Sequence, residues 1–163
     1  MISIQLADDA AELEQIRLEA LKTNPECFFE SYSVISTKTD EYWQQLIDKQ
    51  QYYTIKKDYR VIGMFAVYLD SDRAKCAGIT SVYITPDERR NNYADSMIDF
   101  IVNKFKHWPL KLYVTTANIA ANKLYEKHGF KKERETSGTY GDGNKYQVNV
   151  LIREKHLVQF FMG

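Results

Sequence analysis

The segment LYVTTANIAANKLYEKHGF, residues 112–130, contains a strand that leads directly into a helix. Alternating apolar residues predict a strand over Leu110–Val114, and the helical spacing that follows predicts a helix over Asn118–His128. Asn118 is a residue type that favours a helix N-cap, and Gly129 stands where a left-handed C-cap residue would lie. Tyr125 follows Asn118 by two helical turns, so their side chains share one face. Taken singly, however, Asn118 also fits a simple helix cap and Tyr125 fits core packing.

A second strand–loop–helix segment, SVYITPDERRNNYADSM, occupies residues 81–97. The amino terminus of a helix has unpaired backbone N–H groups and a partial positive charge, so it can bind an anion. Arg89 and Arg90 would add positive charge for a pyrophosphate, and Ala94 would let phosphate oxygens approach the backbone. The same residues also fit an ordinary surface loop with solvated arginines. The segment by itself leaves both interpretations open.

Together, the two segments resemble the GNAT superfamily of N-acetyltransferases. The superfamily motif Asn-x-x-Ala-x-x-Leu/Phe-Tyr-x-x-x-Gly-Phe is matched at every position by residues 118–130. Its phosphate-loop motif, Gln/Arg-x-x-Gly-x-Gly/Ala, corresponds to Arg89 to Ala94, with Asn92 in the place of the first glycine. Asn tolerates the left-handed backbone better than most residues, so the loop conformation is expected to survive this difference. Its side chain could still crowd a phosphate.

The resemblance implies that acetyl-CoA is the acyl donor and that no metal is involved. Its pantetheine arm would form strand-like hydrogen bonds with Val82, Tyr83 and Ile84, and the Asn118 side chain would hold the same arm. The arginine pair would supply positive charge at the pyrophosphate. The backbone N–H groups that would surround the pyrophosphate belong to Arg90, Asn91, Asn92, Tyr93, Ala94 and Asp95.

Tyr125 is the catalytic residue that the resemblance implies, with its hydroxyl directed at the thioester sulfur. A Tyr hydroxyl with a pKa near ~10 can donate a proton to a thiolate leaving group with a pKa near ~8.5. A backbone N–H on the Val82–Ile84 strand would stabilise the oxyanion. Many members carry a Glu on one of the two splayed strands, but residues 75–82 and 110–114 contain no acidic residue. A general base must therefore come from elsewhere, from water, or from no enzyme group.

The acceptor site is expected between the first two helices, where the family often builds it. Glu30 and Tyr32 lie in this region, within the aromatic stretch that begins at Glu26. A carboxylate in the pocket would attract a cationic amine. The stretch is also typical of a packed aromatic loop, which would give neither residue a role. Residues 139–146 could border the acceptor or form a simple hairpin turn.

The predicted order of elements is β, α, α, β, β, β, α, β, α, β, β, which favours one domain over residues 1–163. Hairpins followed by two βα units predict an α/β fold with a mixed sheet. The resemblance adds a mostly antiparallel sheet, flanked by helices, with two splayed parallel strands. Asp40 is expected to cap the second helix, a helix with apolar residues from Met97 is expected to end near His107, and Asp70 to Asp72 are expected to form a turn.

The composition sets limits on the function. Lys and Arg number 22 and Asp and Glu also number 22, so the chain lacks the basic excess of a typical nucleic-acid-binding protein. Two cysteines without CxxC spacing and three scattered histidines predict no zinc site, and the cysteines are expected to be free thiols. No signal peptide and no apolar run near ~20 residues is present, so a cytoplasmic protein without membrane association is expected.

The sequence therefore predicts an enzyme that transfers an acetyl group to a primary amine of a small molecule such as a polyamine, an amino acid or an amino-bearing toxin. Two alternatives stay open: acetylation of a protein N-terminus or lysine, and a non-catalytic domain that binds or senses acyl-CoA. The intact pair of Asn118 and Tyr125 favours catalysis, because binding alone requires no proton donor. Family members are often dimers, so a homodimer is one expected assembly.

Overall fold

The computed structural model describes residues 1–70 and 76–155. Within them, seven strands form one sheet in the order β1-β2-β3-β4-β5-β7-β6. The strands are β1 (Ile2–Leu6), β2 (Tyr52–Lys57), β3 (Arg60–Asp70), β4 (Cys76–Ile84), β5 (Leu110–Thr115), β6 (Lys131–Thr139) and β7 (Lys145–Arg153). The helices are α1 (Ala10–Thr23), α2 (Tyr32–Ile35), α3 (Asp40–Asp48), α4 (Tyr93–Lys104) and α5 (Ile119–Lys127). Short 3-10 turns occupy Pro25–Cys27 and Pro86–Glu88.

The sheet confirms the predicted mixed fold. In the described part of the chain, β4 and β5 are the parallel pair and the other neighbours are antiparallel. The parallel strands share two registered pairs, Ala77–Leu110 and Gly78–Lys111. Beyond these pairs the carboxyl ends of both strands separate, which opens the sheet at the edge where α/β folds usually bind ligands.

The core lies on both faces of the sheet. Alternate residues of a strand point to opposite faces, and in β3 Phe65 packs with α4 and α5 while Met64 and Ala66 pack with α1 and α3. The largest aromatic contact on the first face is the stacked pair of Tyr53 and Phe65, whose ring centroids are 4.8 Å apart. Trp43, only 1% exposed, fills the second face.

Most predicted helix boundaries are confirmed, and the deviations have local causes. Asp9 caps α1, and Gly129, with φ +91°, follows the end of α5 in the left-handed region, as predicted for Gly129. The predicted cap of α3 is wrong by one residue, because the hydroxyl of Thr39 accepts from the N–H of Tyr42 and Asp40 becomes the first helical residue. There the Asp40 carboxylate still lies favourably against the helix dipole.

Helix α4 begins at Tyr93 and ends at Lys104, earlier than the predicted end near His107. Its first turn is polar on the outside, so apolar periodicity shows the helix only from Met97 onward. The turn predicted at Asp70 to Asp72 includes residues outside those that the structure describes. A short helix, α2, lies in the stretch expected to be irregular.

Candidate active site

Two adjoining cavities lie where β4 and β5 separate. The larger cavity, of about 680 Å³, lies between the end of β4, the amino terminus of α4 and the start of α5. The smaller cavity, of about 350 Å³, lies between residues 27–30, β4, β5 and Tyr140. Residues that line both cavities mark the place where they meet: Cys27, Phe28, Val82, Thr115, Asn118, Ala121 and Leu124.

The β4 wall of these cavities contains a β-bulge. In the register with β3, Met64 pairs with Tyr83 and Ala66 pairs with Thr80, so Phe65 faces two residues of β4. One of these is Ser81, which has φ +57°. A bulge releases the backbone groups of the extra residue from the ladder and bends the strand. Backbone polar groups near Val82 are thus available beside the opening between the strands.

The predicted strand residues Val82, Tyr83 and Ile84 all line the larger cavity. The Tyr83 hydroxyl donates to a carboxylate oxygen of Glu19 at 2.8 Å. Burial of the phenol, together with that hydrogen bond, raises the pKa of Tyr83 to about 12. The Tyr83 hydroxyl is therefore neutral and is hydrogen-bonded to Glu19 of α1. It holds the cavity wall in place and does not titrate near neutral pH.

Arg89 and Arg90 differ in what their side chains can do. The Nε of Arg89 donates to the carbonyl oxygen of Ile84 at 2.8 Å, and its Nη2 donates to Oδ1 of Asn24 at 2.7 Å. Arg89 therefore ties the loop to the end of β4 and to the residue after α1. Arg90 is exposed at the edge of the larger cavity, with φ +69°. Its charge is the one better placed for an anionic ligand.

Asn92 adopts φ +62° and ψ +18° at the N-cap of α4. Its side chain makes no capping hydrogen bond. The contribution of Asn92 at this position is therefore the left-handed backbone conformation that it adopts. Asn92 and the first helical residues Tyr93, Ala94 and Asp95 line the larger cavity. Asn91 does not line it; its Nδ2 donates to the carbonyl oxygen of Glu88 at 3.3 Å.

A carboxylate beside an anion site would repel the anion, and the surroundings of Asp95 counter this effect. Its Oδ1 lies 2.9 Å from Nζ of Lys127 and 2.8 Å from Nε2 of His128, both at the carboxyl end of α5. Hydrogen bonds from Lys127 and His128 lower the pKa of Asp95 below its usual value. The first turn of α4 is thereby linked to the last turn of α5.

Asn118 serves as the cap of α5 and lies where the two cavities meet. Its Oδ1 accepts from the N–H of Ala121 at 3.1 Å, which is the capping role. Asn122 supports this junction, because its Nδ2 donates to the carbonyl oxygens of Thr115 and Asn118. The Asn122 Oδ1 in turn accepts from Nδ2 of Asn149 at 3.0 Å. The cap and the network together fix the angle between β5 and α5.

Tyr125 lines the smaller cavity and is 7% exposed. Its ring packs edge-on against Phe130, with centroids 5.7 Å apart. Burial of the phenol raises the pKa of Tyr125 well above its usual value. The hydroxyl therefore stays protonated at neutral pH and can act as a proton donor but not as a phenolate.

Of the two predicted acceptor-site residues, Glu30 lines the smaller cavity and Tyr32 does not. Tyr32 starts α2, and Nζ of Lys22 lies 5.8 Å from the centre of its ring. Glu30 forms an ion pair with Arg17, which also lines the smaller cavity. Sequence reasoning assigned Arg17 no role, although it falls on the apolar stripe of α1 beside Leu13 and Leu21. The signal that could have identified Arg17 is its position as an arginine on an otherwise apolar helix stripe.

Residues 139–146 form the predicted hairpin turn between β6 and β7, and the hairpin also lines both cavities. Tyr140 lines the smaller cavity and Tyr146 lines the larger one. Phe29 contacts Tyr140 with ring centroids 4.5 Å apart, and Gly141 donates its N–H to the carbonyl oxygen of Phe28 at 2.6 Å. The aromatic stretch after α1 is thus a packed loop and also a cavity wall.

Both cysteines are free thiols, as predicted, with Cys27 exposed and Cys76 buried. Burial of its sulfur and the adjacent Glu26 raise the pKa of Cys27 to about 11, so this thiol is a poor nucleophile at neutral pH. Within residues 1–70 and 76–155, no group of three or more His, Cys, Asp and Glu side chains could hold a metal ion. None of the helices described is long and apolar enough to cross a membrane.

Comparisons with known proteins agree with this geometry. The chain resembles an acetyltransferase of the GNAT family from Streptococcus pneumoniae, with 21% identity and a TM-score of 0.80, covering 96% of this chain and 100% of the other. An acetyltransferase from Salmonella typhimurium, whose structure includes its cofactor acetyl-CoA, gives 13% identity and a TM-score of 0.76 over 99% of both chains.

The ribosomal-protein-S18-alanine N-acetyltransferase of Escherichia coli gives 13% identity and a TM-score of 0.71, covering 100% of this chain and 99% of the other. A search of curated protein sequences gives no match. The model of the Acetyltransferase (GNAT) family matches residues 15–130, which include both motifs and most of the sheet. The chain therefore belongs to the GNAT family and is an acyl-CoA-dependent acetyltransferase.

Proposed function

We propose that the enzyme transfers the acetyl group of acetyl-CoA to the primary amine of a small molecule held in the smaller cavity. The observation that carries the proposal is the meeting of the two cavities between β4 and β5, with the buried residue Tyr125 on the wall of the smaller one. A donor in one cavity and an acceptor in the other would approach each other at this junction. Direct transfer needs no covalent enzyme intermediate, which agrees with the high pKa of Cys27.

The residues of the larger cavity fit acetyl-CoA, which supplies the acetyl group as a thioester. A pyrophosphate would face the amino terminus of α4, where backbone N–H groups of residues 90–95 and the helix dipole favour an anion. Arg90 adds a mobile charge there. The edge of β4 at Val82 to Ile84 offers backbone groups for an extended pantetheine arm, and Nδ2 of Asn118 remains available because Oδ1 serves as the cap.

Tyr125 would donate its proton to the departing thiolate. Its raised pKa does not oppose this role, because burial disfavours a thiolate in the same place as strongly as it disfavours the phenolate. A backbone N–H at the β4 bulge would hydrogen-bond the acetyl carbonyl oxygen, where negative charge increases during transfer. Among the described residues that line the smaller cavity, Glu30 is the one carboxylate, and it is paired with Arg17.

The size of the smaller cavity supports a small acceptor. A volume of about 350 Å³ lies in the range of sites that hold one small molecule. Among its walls, the segment 28–30 and the hairpin of β6 and β7 are packed on each other. Only a turnover measurement distinguishes a peptide N-terminus from the amine of a small molecule as the acceptor. A short peptide is therefore included among the acceptors tested.

The test is thiol release from acetyl-CoA with Tyr125→Phe beside the wild type. We expect kcat to fall by roughly 10²–10⁴-fold, because general acid catalysis contributes that much, while the Kd for acetyl-CoA changes little. Tyr59→Phe, at a tyrosine that is 99% exposed, is the matched control and should retain full activity. Unchanged turnover in Tyr125→Phe would remove the proton-donor role, and binding of acetyl-CoA without turnover on any amine would indicate a binding domain instead.

A further inference from the structure

Arg17 is a buried guanidinium on the wall of the smaller cavity, and no other described lining residue of that cavity is a cation. It is 4% exposed and projects from the apolar stripe of α1. Its Nη1 donates to the Tyr42 hydroxyl at 2.9 Å, and its central carbon lies 5.9 Å and 5.4 Å from the ring centres of Trp43 and Tyr52. These contacts hold the group in one orientation, with cation–π contacts to two rings.

The remaining edge of the guanidinium binds a carboxylate, which is Glu30. The two partners differ in how firmly they are held, since the Arg17 side chain is 5% exposed and that of Glu30 is 51% exposed. Burial alone would lower the pKa of Arg17, but Tyr52, Glu30 and Tyr42 raise it above its usual value, so the cation is permanent. A permanent buried cation needs an anion, and the half-exposed partner is the one that can be exchanged.

A guanidinium offers five N–H donors in a planar fork that matches a carboxylate. The Tyr42 hydroxyl and one oxygen of Glu30 account for two of the hydrogen bonds. Arg17 and Glu30 both line this cavity, so a carboxylate bound there could take the place of Glu30 on the guanidinium. Glu30 therefore stands where the carboxylate of a bound molecule would stand.

We propose that Arg17 recognises a carboxylate of the acceptor, which displaces Glu30 from the guanidinium, and that the released Glu30 attracts the ammonium group of the same molecule. The acceptor class is therefore a free amino acid or a close zwitterionic analogue. The inference rests on the proposed function and specifies its substrate. The inference disfavours polyamines as acceptors. Glu30 is the one carboxylate among the described residues of this cavity, and Arg17 already neutralises it, so no negative charge remains there to bind the several ammonium groups of a polyamine.

The aromatic walls indicate the kind of side chain that such an acceptor carries. Phe28, Phe29, Tyr68, Tyr113 and Tyr140 surround the cavity. Apolar and aromatic groups gain free energy by leaving water for such surroundings. Phenylalanine and leucine are accordingly the first probes, each compared with the amine that lacks only its carboxylate.

The experiment compares kcat/KM for phenylalanine with that for phenethylamine, and for leucine with that for isoamylamine, by thiol release from acetyl-CoA. We expect the amino acid of each pair to be preferred by roughly 10- to 100-fold, the range of a hydrogen-bonded charge pair. Spermidine and a phenylalanyl peptide amide complete the panel and should react more slowly than phenylalanine. In addition, 3-phenylpropanoate should inhibit the wild type competitively with the acceptor, whereas 3-phenylpropanol should not.

Substitutions at two positions, Arg17 and Glu30, should move the preference in opposite directions. Arg17→Gln should bring the ratio of kcat/KM for phenylalanine over phenethylamine close to one, and Arg17→Lys should lower it partly, because Lys keeps the charge but not the fork. Glu30→Gln should raise the ratio, because the competing carboxylate is gone. Arg134→Gln, at an exposed arginine of β6, is the matched control and should leave the ratio unchanged. The Kd for acetyl-CoA and the melting temperature show whether each variant is folded.

The outcomes separate this inference from the proposed function. Equal or better use of phenethylamine, with no inhibition by 3-phenylpropanoate, would overturn the inference and leave amine acetylation standing. Preference for spermidine or for the peptide amide would do the same. Absence of turnover with every amine, while acetyl-CoA still binds, would overturn the proposed function and this inference with it. If Arg17→Gln does not fold, the substrate pairs and the inhibitor pair on the wild type decide the question.

Discussion

At the scale of single residues, two left-handed positions shape the anion site. Arg90 and Asn92 have φ +69° and φ +62°, and they alternate with residues that keep ordinary backbone angles. The family motif has a glycine where Asn92 stands. Asn and Asp tolerate this region better than other non-glycine residues, because their short side chains can hydrogen-bond locally. The difference from the motif is therefore compatible with the loop that the structure contains.

Substitution at Asn92 should separate backbone strain from contact with the ligand. Asn92→Ala should lower the free energy of unfolding by about 1 kcal/mol, because Ala adopts the left-handed region poorly. Asn92→Gly should be close to neutral in stability and should bind acetyl-CoA at least as tightly, since glycine leaves more room for a phosphate. Urea unfolding and titration with acetyl-CoA measure both quantities. Weaker binding by Asn92→Gly would show that the Asn side chain contributes to the site.

Residue-scale chemistry also explains which site predictions needed the structure. Tyr125 and Asn118 share a face because two turns of helix separate them, and this follows from spacing alone. Arg89 and Arg90 are adjacent and chemically identical in the sequence. Only the hydrogen bonds of Arg89 to Ile84 and Asn24 distinguish it from Arg90.

At the scale of elements, α4 and α5 are joined by charges at the ends that face each other. Asp95 in the first turn of α4 contacts Lys127 and His128 at the end of α5, and His128 Nδ1 lies 3.3 Å from Asp99. Acidic groups at a helix start and basic groups at a helix end are each favoured by the dipole of their own helix. The contact thus stabilises both helices that flank the larger cavity.

This link predicts a dependence of stability on pH. The folded-state pKa of Asp95 lies below its unfolded value of about 3.9, so its contribution is present above that pH and is lost as the pH falls through the folded pKa. Asp95→Asn should therefore be less stable than the wild type at pH 6, and the difference should shrink as the pH falls below the unfolded pKa toward the lower folded-state pKa. Urea unfolding across pH 3–6 measures this, with Asp8→Asn on the exposed loop before α1 as the control. A difference that persists in acid would contradict the ion-pair explanation.

The turn between β6 and β7 is held against the segment after α1 by a close backbone approach. A Cβ on Gly141 would lie 2.3 Å from the carbonyl oxygen of Glu30 and 3.2 Å from that of Phe28. Both atoms belong to the main chain and cannot turn aside. The absence of a side chain at Gly141 therefore permits this wall of the smaller cavity to form.

Gly141→Ala should disturb the acceptor and spare the donor. We expect a loss of about 1–3 kcal/mol in stability from overpacking, and a several-fold rise in KM for the amine. The Kd for acetyl-CoA should stay near that of the wild type. Gly143→Ala is the matched control, because a Cβ there meets no atom within 4 Å, although its φ of +83° costs stability. An equal rise in KM in both variants would mean that the turn, and not the wall, determines acceptor binding.

At the scale of the whole molecule, the proposed donor site spans the opening in the sheet. One side consists of β1 to β4 and the other of β5, β7 and β6, and two registered residue pairs join them between β4 and β5. A ligand between the strands adds contacts to both sides and binds only the folded chain. Ligand binding should therefore stabilise the fold as a whole.

Acetyl-CoA at 100 times its Kd should stabilise the protein by about 2.7 kcal/mol. For a chain of this length, that corresponds to a rise in melting temperature of roughly 5–10 °C. Thermal unfolding with increasing acetyl-CoA measures the shift, and equimolar acetyl phosphate is a control that lacks the CoA moiety. A melting temperature that does not move at this concentration would show that acetyl-CoA does not bind the folded chain in preference to the unfolded one.

Patterns in the sequence were enough to predict the mixed sheet, both family motifs, the free cysteines and the order of elements except for the short helix α2. These features depend on periodicity, caps and spacing within one segment, which neighbouring residues control. The cap of α3 was misplaced by one residue, because Thr39 and Asp40 are both residue types that favour an N-cap. Helix α4 ends at Lys104, earlier than the predicted end near His107.

The tertiary structure alone decided how the cavities meet and which side chains line them. Arg17, Glu30 and Tyr140 are distant in the sequence, and no local pattern shows that they share one wall. The splay of β4 and β5 likewise depends on packing across the sheet and not on either strand. Long-range contacts of this kind are fixed by the packing of the whole core, so the acceptor side of the site was the part that spacing could not predict.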